Sequence, residues 1–268
     1  MVVRTTDWIV RAPGSPDRVE ARLSGLAFAP HRHDTYAIGV TLEGVQTFDY
    51  RGATRHSRPG QLVVLHPDEV HDGRAGDGTA FRYRTAYLAP ADVQRVLGGR
   101  PLPFIDGGVS TDPRLRHAVR GLLDDLERPL GDLEYQDLLY DLATALQAIA
   151  GAARPMKAVN YEAASRAREY IDARLDAAIS LGDLERETRR DRWQLSRDFR
   201  AMFGTSPYRY WVARRLDRAR RMMLRGRSIA DAAHGSGFAD QSHFGRSFKR
   251  AFGITPNGWL RRIVLSRA

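Results

Sequence analysis

Cysteine is absent from this chain of 268 residues, which excludes disulfide bonds, thiolate metal ligands and a cysteine nucleophile. Long apolar runs are also missing, because no segment approaches the roughly 20 residues needed to cross a bilayer. The first residues carry a charge every few positions and no continuous apolar stretch, so they do not resemble a secretory signal. We therefore expect a cytoplasmic protein that has no membrane contact.

Sequence signatures of catalysis are missing as well. The chain has no paired carboxylates, no glycine-rich loop that would cradle a phosphate and no nucleophile elbow. No cofactor is expected, and the sequence predicts that the protein is not an enzyme.

Excess charge is missing from the first part of the chain. Residues 1–160 contain 19 Lys and Arg against 20 Asp and Glu, whereas residues 161–268 contain 23 against 12. A basic segment joined to a neutral one favours a polyanionic partner, most often nucleic acid. The alternative is arginine that only solvates helix faces.

The chain divides into stretches with different periodicity. Residues 1–110 hold short runs of β-branched and aromatic residues separated by Gly and Pro, which predicts a small β-barrel or sandwich. Residues 111–150 show two amphipathic helical patterns, which would form either a lid on the barrel or a dimer interface. Residues 151–160 lack a period and form the predicted linker. Residues 161–268 are helical throughout.

An internal repeat occupies the basic segment, at an offset of 49 residues. Residues 195–207 match residues 244–256, including Phe199 with Phe248 and Gly204 with Gly253. Each copy has an apolar stripe at i, i+4 and i+8, preceded by an Asp in N-cap position and followed by a glycine suited to a C-cap. With the short helix upstream of each, the copies predict two helix-turn-helix units, which a plain helical bundle would not explain.

At these residues the sequence resembles the AraC/XylS family of transcription regulators. The segment GFADQSHFGRSFKRAFGITPNGWLRR, residues 237–262, carries the resemblance, together with residues 203–224 before it. The resemblance covers roughly residues 162–262 and implies that two recognition helices enter successive major-groove segments of double-stranded DNA. It implies base contacts from Trp193, Gln194, Ser196, Arg197, Gln241, Ser242, His243 and Arg246. It implies phosphate contacts from Arg200, Lys249 and Arg250.

The first unit departs from the family pattern at two places. Glu185 stands where a small residue is usual, and Arg189 and Arg190 stand where the turn usually has a glycine and an apolar residue. We expect looser packing of the first helix and extra phosphate contacts from the turn.

The N-terminal part resembles the cupin-type effector domain of the same family, on HRHDTY at residues 31–36 and PGQLVVLHPDEVHDG at residues 59–73. The fold class is therefore expected to be two-domain α+β: a cupin-like β-barrel with a helical appendage, then an all-α tandem helix-turn-helix. His31, His33 and His71 are weak candidates for metal ligands. Because the carboxylate that cupin enzymes place after the HxH pair is missing, a polar pocket or structural histidines are favoured over a metal.

An effector pocket would be lined by inward-facing alternate residues of the barrel. The predicted lining is His33, Tyr36, Phe48, His71 and Tyr83, with Arg82 or Arg84 available for a carboxylate or phosphate. The sequence thus predicts a DNA-binding transcription regulator that responds to a small-molecule effector, forms a homodimer and has RNA polymerase as a candidate partner. The alternative is a metal-dependent cupin enzyme with an accessory nucleic-acid-binding domain.

Overall fold

The computed structural model describes residues 7–98, 100–150 and 159–264. Its N-terminal part is mainly β and its C-terminal part mainly α, as the change of sequence period predicts. The strands are β1 (Trp8–Arg11), β2 (Asp17–Ser24), β3 (Leu26–His31), β4 (Tyr36–Glu43), β5 (Gln46–Tyr50), β6 (Ala53–Ser57), β7 (Leu62–Leu65), β8 (His71–Ala75), β9 (Ala80–Leu88), β10 (Val109–Ser110) and β11 (Ile263–Val264).

After β9 the described chain is mainly helical, apart from the short strands β10 and β11. They are α1 (Pro90–Leu97), α2 (Pro113–Leu123), α3 (Asp132–Ala150), α4 (Tyr161–Asp172), α5 (Leu181–Thr188), α6 (Arg192–Phe203), α7 (Pro207–Leu224), α8 (Ile229–Gly235), α9 (Gln241–Phe252) and α10 (Pro256–Arg262). The predicted linker falls mostly on residues 151–158, which lie outside the described residues.

The described strands form two sheets. The larger has the order β10-β7-β4-β9-β2-β1-β11, and the smaller has the order β3-β8-β5-β6. No ladder joins the two sheets among the described strands, so the expected barrel is an open pair of sheets and not a closed ring. The predicted two-domain α+β fold is otherwise confirmed.

Alternation along the strands distributes the core between two layers. On β4, Tyr36 and Ile38 join the buried cluster that includes α2 and α3, while Ala37 joins Phe48 and Tyr50 of the smaller sheet. Successive strand residues point to opposite faces, so one sheet buries both faces. The buried sides of α2 and α3 thus form a cover over the larger sheet, and their predicted role in dimerisation stays a prediction.

The helices after residue 160 form two small cores. One contains Leu184, Leu195 and Phe199, and the other contains Phe244 and Phe248. The long helix α7 contributes to both, through Tyr210 and Trp211 to the first and Leu216, Ala219 and Met223 to the second. It is therefore the structural connection between the two units of the repeat.

The end of the described chain returns to the β domain. Strand β11 pairs in parallel with β1, with Ile9 opposite Ile263 and Val10 opposite Val264. The C-terminal helices are thereby attached to an edge of the larger sheet. None of the helices within the described ranges is long and apolar enough to cross a membrane.

Candidate nucleic-acid interface and interdomain cavity

The first helix-turn-helix unit is α5 and α6, and both helices begin at side-chain caps. Ser180 and Asp183 form a capping box at the start of α5. Asp191 Oδ1 accepts hydrogen bonds from the amides of Trp193 and Gln194 at 3.0 and 3.1 Å. Such caps satisfy amide donors that the first turn of a helix leaves free.

Helix α6 places its polar side chains outside. Leu195, Phe199 and Phe203 are buried, whereas Trp193 is 80% exposed and Gln194 and Arg197 are exposed as well. Ser196, the remaining predicted base contact in this unit, is less exposed than these three because it is half-buried. Its hydroxyl accepts a hydrogen bond from Arg200. The outer face of α6 is open with the β domain in place.

The second unit is α8 and α9, and it follows the same plan. Asp240 Oδ1 accepts a hydrogen bond from the amide of His243 at 2.6 Å, and Gly253 ends α9 with φ 68°, a left-handed conformation that glycine adopts at low cost. Phe244 and Phe248 are fully buried. The side chains exposed on the opposite face include the predicted base contacts Gln241, Ser242, His243 and Arg246 and the predicted phosphate contact Lys249.

Arg250 is exposed but lies at the side of α9 that meets the β domain. Its carbonyl oxygen accepts a hydrogen bond from the amide of Arg32 at 3.3 Å, and its side chain lines the space between the domains. Its predicted phosphate contact is therefore the one that this arrangement of the domains supports least.

Two of the residues at which the first unit departs from the family pattern, Glu185 and Arg190, form ion pairs within the unit. Glu185 Oε1 accepts hydrogen bonds from the amide of Arg192 at 2.9 Å and from its Nε at 3.0 Å, so this carboxylate joins α5 to the start of α6. Arg190 donates to the fully buried carboxylate of Asp198 at 3.1 Å. The turn is therefore stabilised by ion pairs, so the expected looser packing is not seen at Glu185, and the expected phosphate contact from the turn stays a prediction.

Arg189 occupies the turn between α5 and α6 in a left-handed conformation, with φ 54° and ψ 35°. This conformation costs a non-glycine residue roughly 1–2 kcal/mol. Arg189 stands where a glycine is usual, and its backbone is therefore strained. The Arg189 side chain is exposed.

Three arginines of α7 point to the β domain. Arg220 Nη2 lies 2.8 Å from Asp17 and Arg214 Nη2 lies 2.7 Å from Asp34, and Arg209 is paired with Asp68. These pairs link residues far apart in the chain, so periodicity could not reveal them. We call these three pairs the α7 latch.

The charges around Asp17 stabilise its ion pair in the α7 latch. Burial alone would raise the pKa of Asp17, but the attraction of Arg220 and Arg11 lowers it below its ordinary value. Arg11 lies 2.6 Å from the same carboxylate. Asp17 is therefore held as an anion between two cations from different domains.

Backbone contacts add to the latch on the side of the second unit. The amide of Ala29 donates to the carbonyl of Gly253 at 3.1 Å, and Arg262 Nη1 donates to the carbonyl of Ala27 at 3.0 Å. On the side of the first unit, α1 packs against α6. The β domain thus contacts both units of the repeat.

A cavity of about 1180 Å³ lies between the β domain and the C-terminal helices. Its β-domain wall includes Phe28, Thr85 and Tyr87, and its other wall includes Val212 and Trp259. Arginines and aspartates of the latch stand among these apolar groups. Ligand pockets typically combine an apolar lining with a few charged or polar groups in this way.

The structure brings His33, His71 and Tyr83 of the predicted pocket to this cavity. It places Tyr36 elsewhere, in the core under α2 and α3 with its hydroxyl donating to the carbonyl of Pro103 at 2.8 Å. Phe48 is fully buried between the sheets and does not line the cavity.

Arg82 and Arg84 also lie away from the cavity. Arg84 Nε pairs with Glu20 at 2.7 Å and its Nη1 donates to the carbonyl of Leu123 at 2.8 Å, while Arg82 pairs with Glu43 at 2.9 Å. On β9 they occupy the face opposite Tyr83, because side chains alternate. The same alternation points to Thr85 and Tyr87, which the sequence-based prediction missed.

His31, His33 and His71 meet at the cavity. One ring nitrogen from each lies within 4.8 Å of the others. Burial lowers the pKa of His31 to about 4 and that of His33 to about 3, and it lowers that of His71 well below its ordinary value. All three imidazoles are therefore neutral at pH 7.

His66 differs from these three because both of its ring nitrogens are used. Its Nδ1 lies 2.7 Å from the hydroxyl of Tyr50, and its Nε2 accepts a hydrogen bond from the amide of Ile105 at 2.9 Å. Burial lowers its pKa to about 3. His66 is therefore a core histidine with satisfied hydrogen bonds.

Two exposed recognition helices and a sheet domain that shares a cavity with the helical domain define a two-domain, DNA-binding regulator. Comparison with known families agrees with this class. A model described as an AraC-like ligand binding domain matches residues 13–143, and a model described as a helix-turn-helix domain matches residues 184–262. The chain belongs to the AraC family of transcription regulators.

Curated relatives align over most of their length. An uncharacterized HTH-type transcriptional regulator of Bacillus subtilis, YbfI, is 25% identical over 234 residues, which are 81% of this chain and 81% of the relative. The transcriptional activator RhaS of an Enterobacter species is 25% identical over 260 residues, 90% of this chain and 91% of the relative. The arabinose operon regulatory protein of Salmonella typhimurium is 23% identical over 230 residues, 83% of this chain and 82% of the relative.

Solved structures show the same fold. ToxT from Vibrio cholerae superimposes with a TM-score of 0.66 at 12% identity, covering 91% of this chain and 97% of ToxT. At this identity the likeness concerns the fold alone. The two-domain fold of this chain is thus shared with ToxT.

Proposed function

We propose that a small molecule bound in the interdomain cavity sets the arrangement of the two recognition helices and thereby regulates transcription. The observation that carries the proposal is that both domains line one cavity. A ligand there contacts groups whose separation depends on how the domains are docked. It can therefore favour one arrangement by its differential affinity.

The β domain is suited to control the spacing of the two units. Helix α7 has 18 residues and thus spans about 27 Å at 1.5 Å per residue. Recognition helices on one face of DNA must enter grooves roughly 34 Å apart. The exposed faces of α6 and α9 are uncovered in the docked form, so the control acts on their relative position and not by blocking them.

The roles of individual residues follow from exposure and chemistry. Arg197 and Arg246 are the proposed guanine readers, since a guanidinium bonds bidentately to the major-groove edge of guanine. The remaining proposed base contacts are Trp193, Gln194, Ser196, Gln241, Ser242 and His243. Arg200 and Lys249 are proposed to bind phosphates and position the protein without reading sequence.

The effector is proposed to combine an apolar body with an anionic group. Phe28, Val70 and Tyr87 offer apolar surface at the cavity, and Arg221 lines it together with the latch arginines. Guanidinium groups bind carboxylates and phosphates strongly. ToxT has been solved with an unsaturated fatty acid bound, which makes fatty acids reasonable first probes.

A homodimer is part of the same proposal, with α3 at the interface. Leu133 is 78% exposed and Tyr140 is 60% exposed on this helix, two turns apart and on one face. A second copy of the chain would cover them. A Leu133→Asp, Tyr140→Asp double variant should sediment as a monomer where the native chain sediments as a dimer.

We further propose RNA polymerase as a partner, because relatives such as RhaS are named as activators. A cytoplasmic location and the domain limits 1–110, 111–150, 151–160 and 161–268 belong to the same proposal. Since the curated relatives named above are regulators, a role without catalysis is proposed over the cupin-enzyme alternative.

Fluorescence anisotropy with the DNA upstream of the chain's own gene tests the DNA-binding part. Arg246→Ala should cost about 1–3 kcal/mol on the specific fragment and leave binding to scrambled DNA nearly unchanged. Lys249→Ala should weaken both and reduce the salt slope by about 1. Arg58→Ala, which removes one exposed cation from the β domain, is the control. Equal behaviour of Arg246→Ala and Lys249→Ala would contradict the assigned roles.

Thermal shift of the full chain with oleate and a panel of aromatic carboxylates tests the effector part. Binding at about 100 times Kd should stabilise the chain by about 2.7 kcal/mol. Val70→Trp narrows the cavity at a half-exposed rim position and should reduce the shift, whereas Leu26→Trp, exposed and outside the cavity, should not. A shift that is equal in both variants would place the ligand elsewhere.

A further inference from the structure

The three histidines at the cavity are arranged in a way that a polar pocket does not require. His31 and His71 lie opposite each other in the β3–β8 ladder, and His33 follows two residues after His31. The ring centroids of His31 and His71 are 4.3 Å apart and those of His33 and His71 are 4.8 Å apart. We propose that His31, His33 and His71 bind one divalent transition-metal ion and leave a coordination position open to the interdomain cavity.

The hydrogen bonds fix the tautomer of each ring. Nδ1 of His31 lies 2.9 Å from the carbonyl oxygen of Ala29, Nδ1 of His33 lies 2.8 Å from that of Thr35, and Nδ1 of His71 lies 3.0 Å from that of Glu69. A carbonyl oxygen can only accept, so each Nδ1 carries the proton and donates it. Each Nε2 then has a free lone pair, which is the state that a metal needs.

Three such bonds form the outer support that metal-binding histidines usually have. A second hydrogen bond to the far nitrogen fixes the ring and raises its basicity as a ligand. His66 shows the contrast, because its Nε2 already accepts a hydrogen bond from a backbone amide. His66 is buried and both of its ring nitrogens are hydrogen-bonded. Each of the three converging histidines, in contrast, keeps one ring nitrogen available for a metal.

The spacing needs only a small adjustment. One ring nitrogen from each histidine lies within 4.8 Å of one ring nitrogen of each of the others, and Zn–N bonds of about 2.0–2.1 Å at tetrahedral angles place bound nitrogens roughly 3.3 Å apart. Metal binding therefore requires the rings to approach one another while each Nδ1 keeps its hydrogen bond to a backbone carbonyl.

The ligand set selects the class of metal. Three neutral imidazoles suit Zn²⁺, Co²⁺, Ni²⁺, Cu²⁺ or Fe²⁺, whereas Mg²⁺ and Ca²⁺ prefer oxygen ligands. Asp72 lies close enough to His31 to favour positive charge there, and Arg220 lies close enough to His33 to oppose it. The Arg220 charge is already balanced by Asp17. An anionic group of a ligand in the cavity can fill the open position.

The site also touches the DNA-binding part of the chain. A Cβ built on Gly253, the residue that ends α9, would lie 2.8 Å from His31 Nδ1. The amide of Ala29 pairs with Gly253, and its carbonyl oxygen holds His31. Metal binding would therefore fix the strand on which the second helix-turn-helix unit rests.

The test uses the full chain without an affinity tag, stripped of metal and titrated with Co²⁺ and then Zn²⁺. We expect one equivalent of Co²⁺ with the visible absorption of a four-coordinate site made of three imidazole nitrogens and one exogenous ligand, displaced by one equivalent of Zn²⁺. His33→Gln and His71→Gln should each weaken binding at least tenfold, by analogy with the loss caused by removing even an outer partner of a metal ligand. His117→Gln, on the exposed face of α2, should bind as the native chain does.

X-ray absorption of the Zn²⁺-loaded native chain removes any dependence on how the variants fold. Three imidazole ligands at about 2.0–2.1 Å are expected. Absence of stoichiometric binding, unchanged affinity in folded His33→Gln and His71→Gln, or fewer than three imidazoles in the absorption spectrum would each overturn the proposal. Because these measurements use neither DNA nor an effector, they remain decisive even if the proposed regulation fails.

Discussion

Replacing Arg220 by Met tests the α7 latch where its chemistry is best defined. Arg220 pairs with Asp17 at 2.8 Å, with side chains 16% and 20% exposed, and Arg11 lies 2.6 Å from the same carboxylate. Removing one partner of a fully buried ion pair costs about 3–5 kcal/mol. Because Arg11 remains and water reaches the carboxylate, we expect a smaller loss of about 1–3 kcal/mol.

Arg220 also contacts Asp217, Phe252 and Trp259 within the C-terminal helices, so part of this loss falls on that domain and the remainder on the docking of the two domains. Arg220 belongs to α7 and Asp17 to β2, so their pair exists only while the domains are in contact. A change of 1–3 kcal/mol corresponds to a shift of about 5–150-fold in a two-state equilibrium. The undocked population of the Arg220→Met variant should rise by up to that factor.

Hydrogen–deuterium exchange of the full chain measures the effect. Peptides from β2 and α7 should exchange faster in Arg220→Met, whereas peptides from β4 and β7 should not change. Arg227→Met is the matched control, because Arg227 is exposed just beyond α7. If β2 and α7 exchange as in the native chain, the pair contributes nothing to docking. If all peptides accelerate together, the two domains unfold as one unit and the latch does not exist as a separate element.

The same pair predicts a pH dependence. The pKa of Asp17 is lower in the docked form than its ordinary value of 3.8, so the docked form binds fewer protons than the undocked form. The Asp17–Arg220 pair should therefore contribute fully to docking at neutral pH and lose its contribution as the pH falls below about 4. Asp17→Asn should flatten this dependence of β2 exchange, and an unchanged acid response in that variant would assign it to other groups.

Three further changes test the helix-turn-helix units. Phe248→Ala should lower the stability of the second unit by about 3–5 kcal/mol, seen as an early transition in thermal melting, and a loss below 1 kcal/mol would contradict its place at the centre of that core. Arg189→Gly should stabilise the first unit by about 0.5–1 kcal/mol, since it relieves a left-handed residue; destabilisation in chemical denaturation would contradict the strain. Glu185→Gln should lose about 1 kcal/mol by weakening the cap on Arg192, while Glu187→Gln, exposed on the same helix, should be neutral.

Local patterns predicted the C-terminal part well. The N-caps Asp191 and Asp240, the C-cap glycines Gly204 and Gly253 and the apolar stripes all lie within a few residues of the structure they specify. Helix boundaries and burial depend on such short-range rules. The prediction of two helix-turn-helix units therefore needed no knowledge of distant contacts.

The cavity could be predicted only in part. His33, His71 and Tyr83 reach it, whereas Arg82 and Arg84 do not. Strict alternation along β9 would have assigned these arginines to the face opposite Tyr83. Alternation alone could not place Tyr36, because the larger sheet buries both of its faces. The face that carries Tyr36 is covered by α2 and α3 and does not meet the cavity.

The arginines of α7 show what a sequence pattern cannot supply. Several arginines on one helix suggest either solvent or DNA, yet Arg209, Arg214 and Arg220 pair with aspartates about 140 to 200 residues away. Nothing in the spacing of either set indicates its partner. The aspartates themselves are scattered over loops and strands of a segment whose net charge is close to zero.

The segregation of charge therefore has a second meaning beyond attraction to DNA. The β domain uses Asp17, Asp34 and Asp68 to neutralise three cations of the basic domain. Undocking would release those cations near the two recognition helices. Since each neutralised phosphate contributes about −0.9 to the slope of log K against log salt, a form that uses all three cations would steepen the slope by up to about 2.7.

The salt slope of DNA binding in a variant with Asp17→Asn, Asp34→Asn and Asp68→Asn tests this idea. We expect a steeper slope than that of the native chain. A slope no steeper than the native one would mean that the latch arginines face away from DNA and serve docking alone.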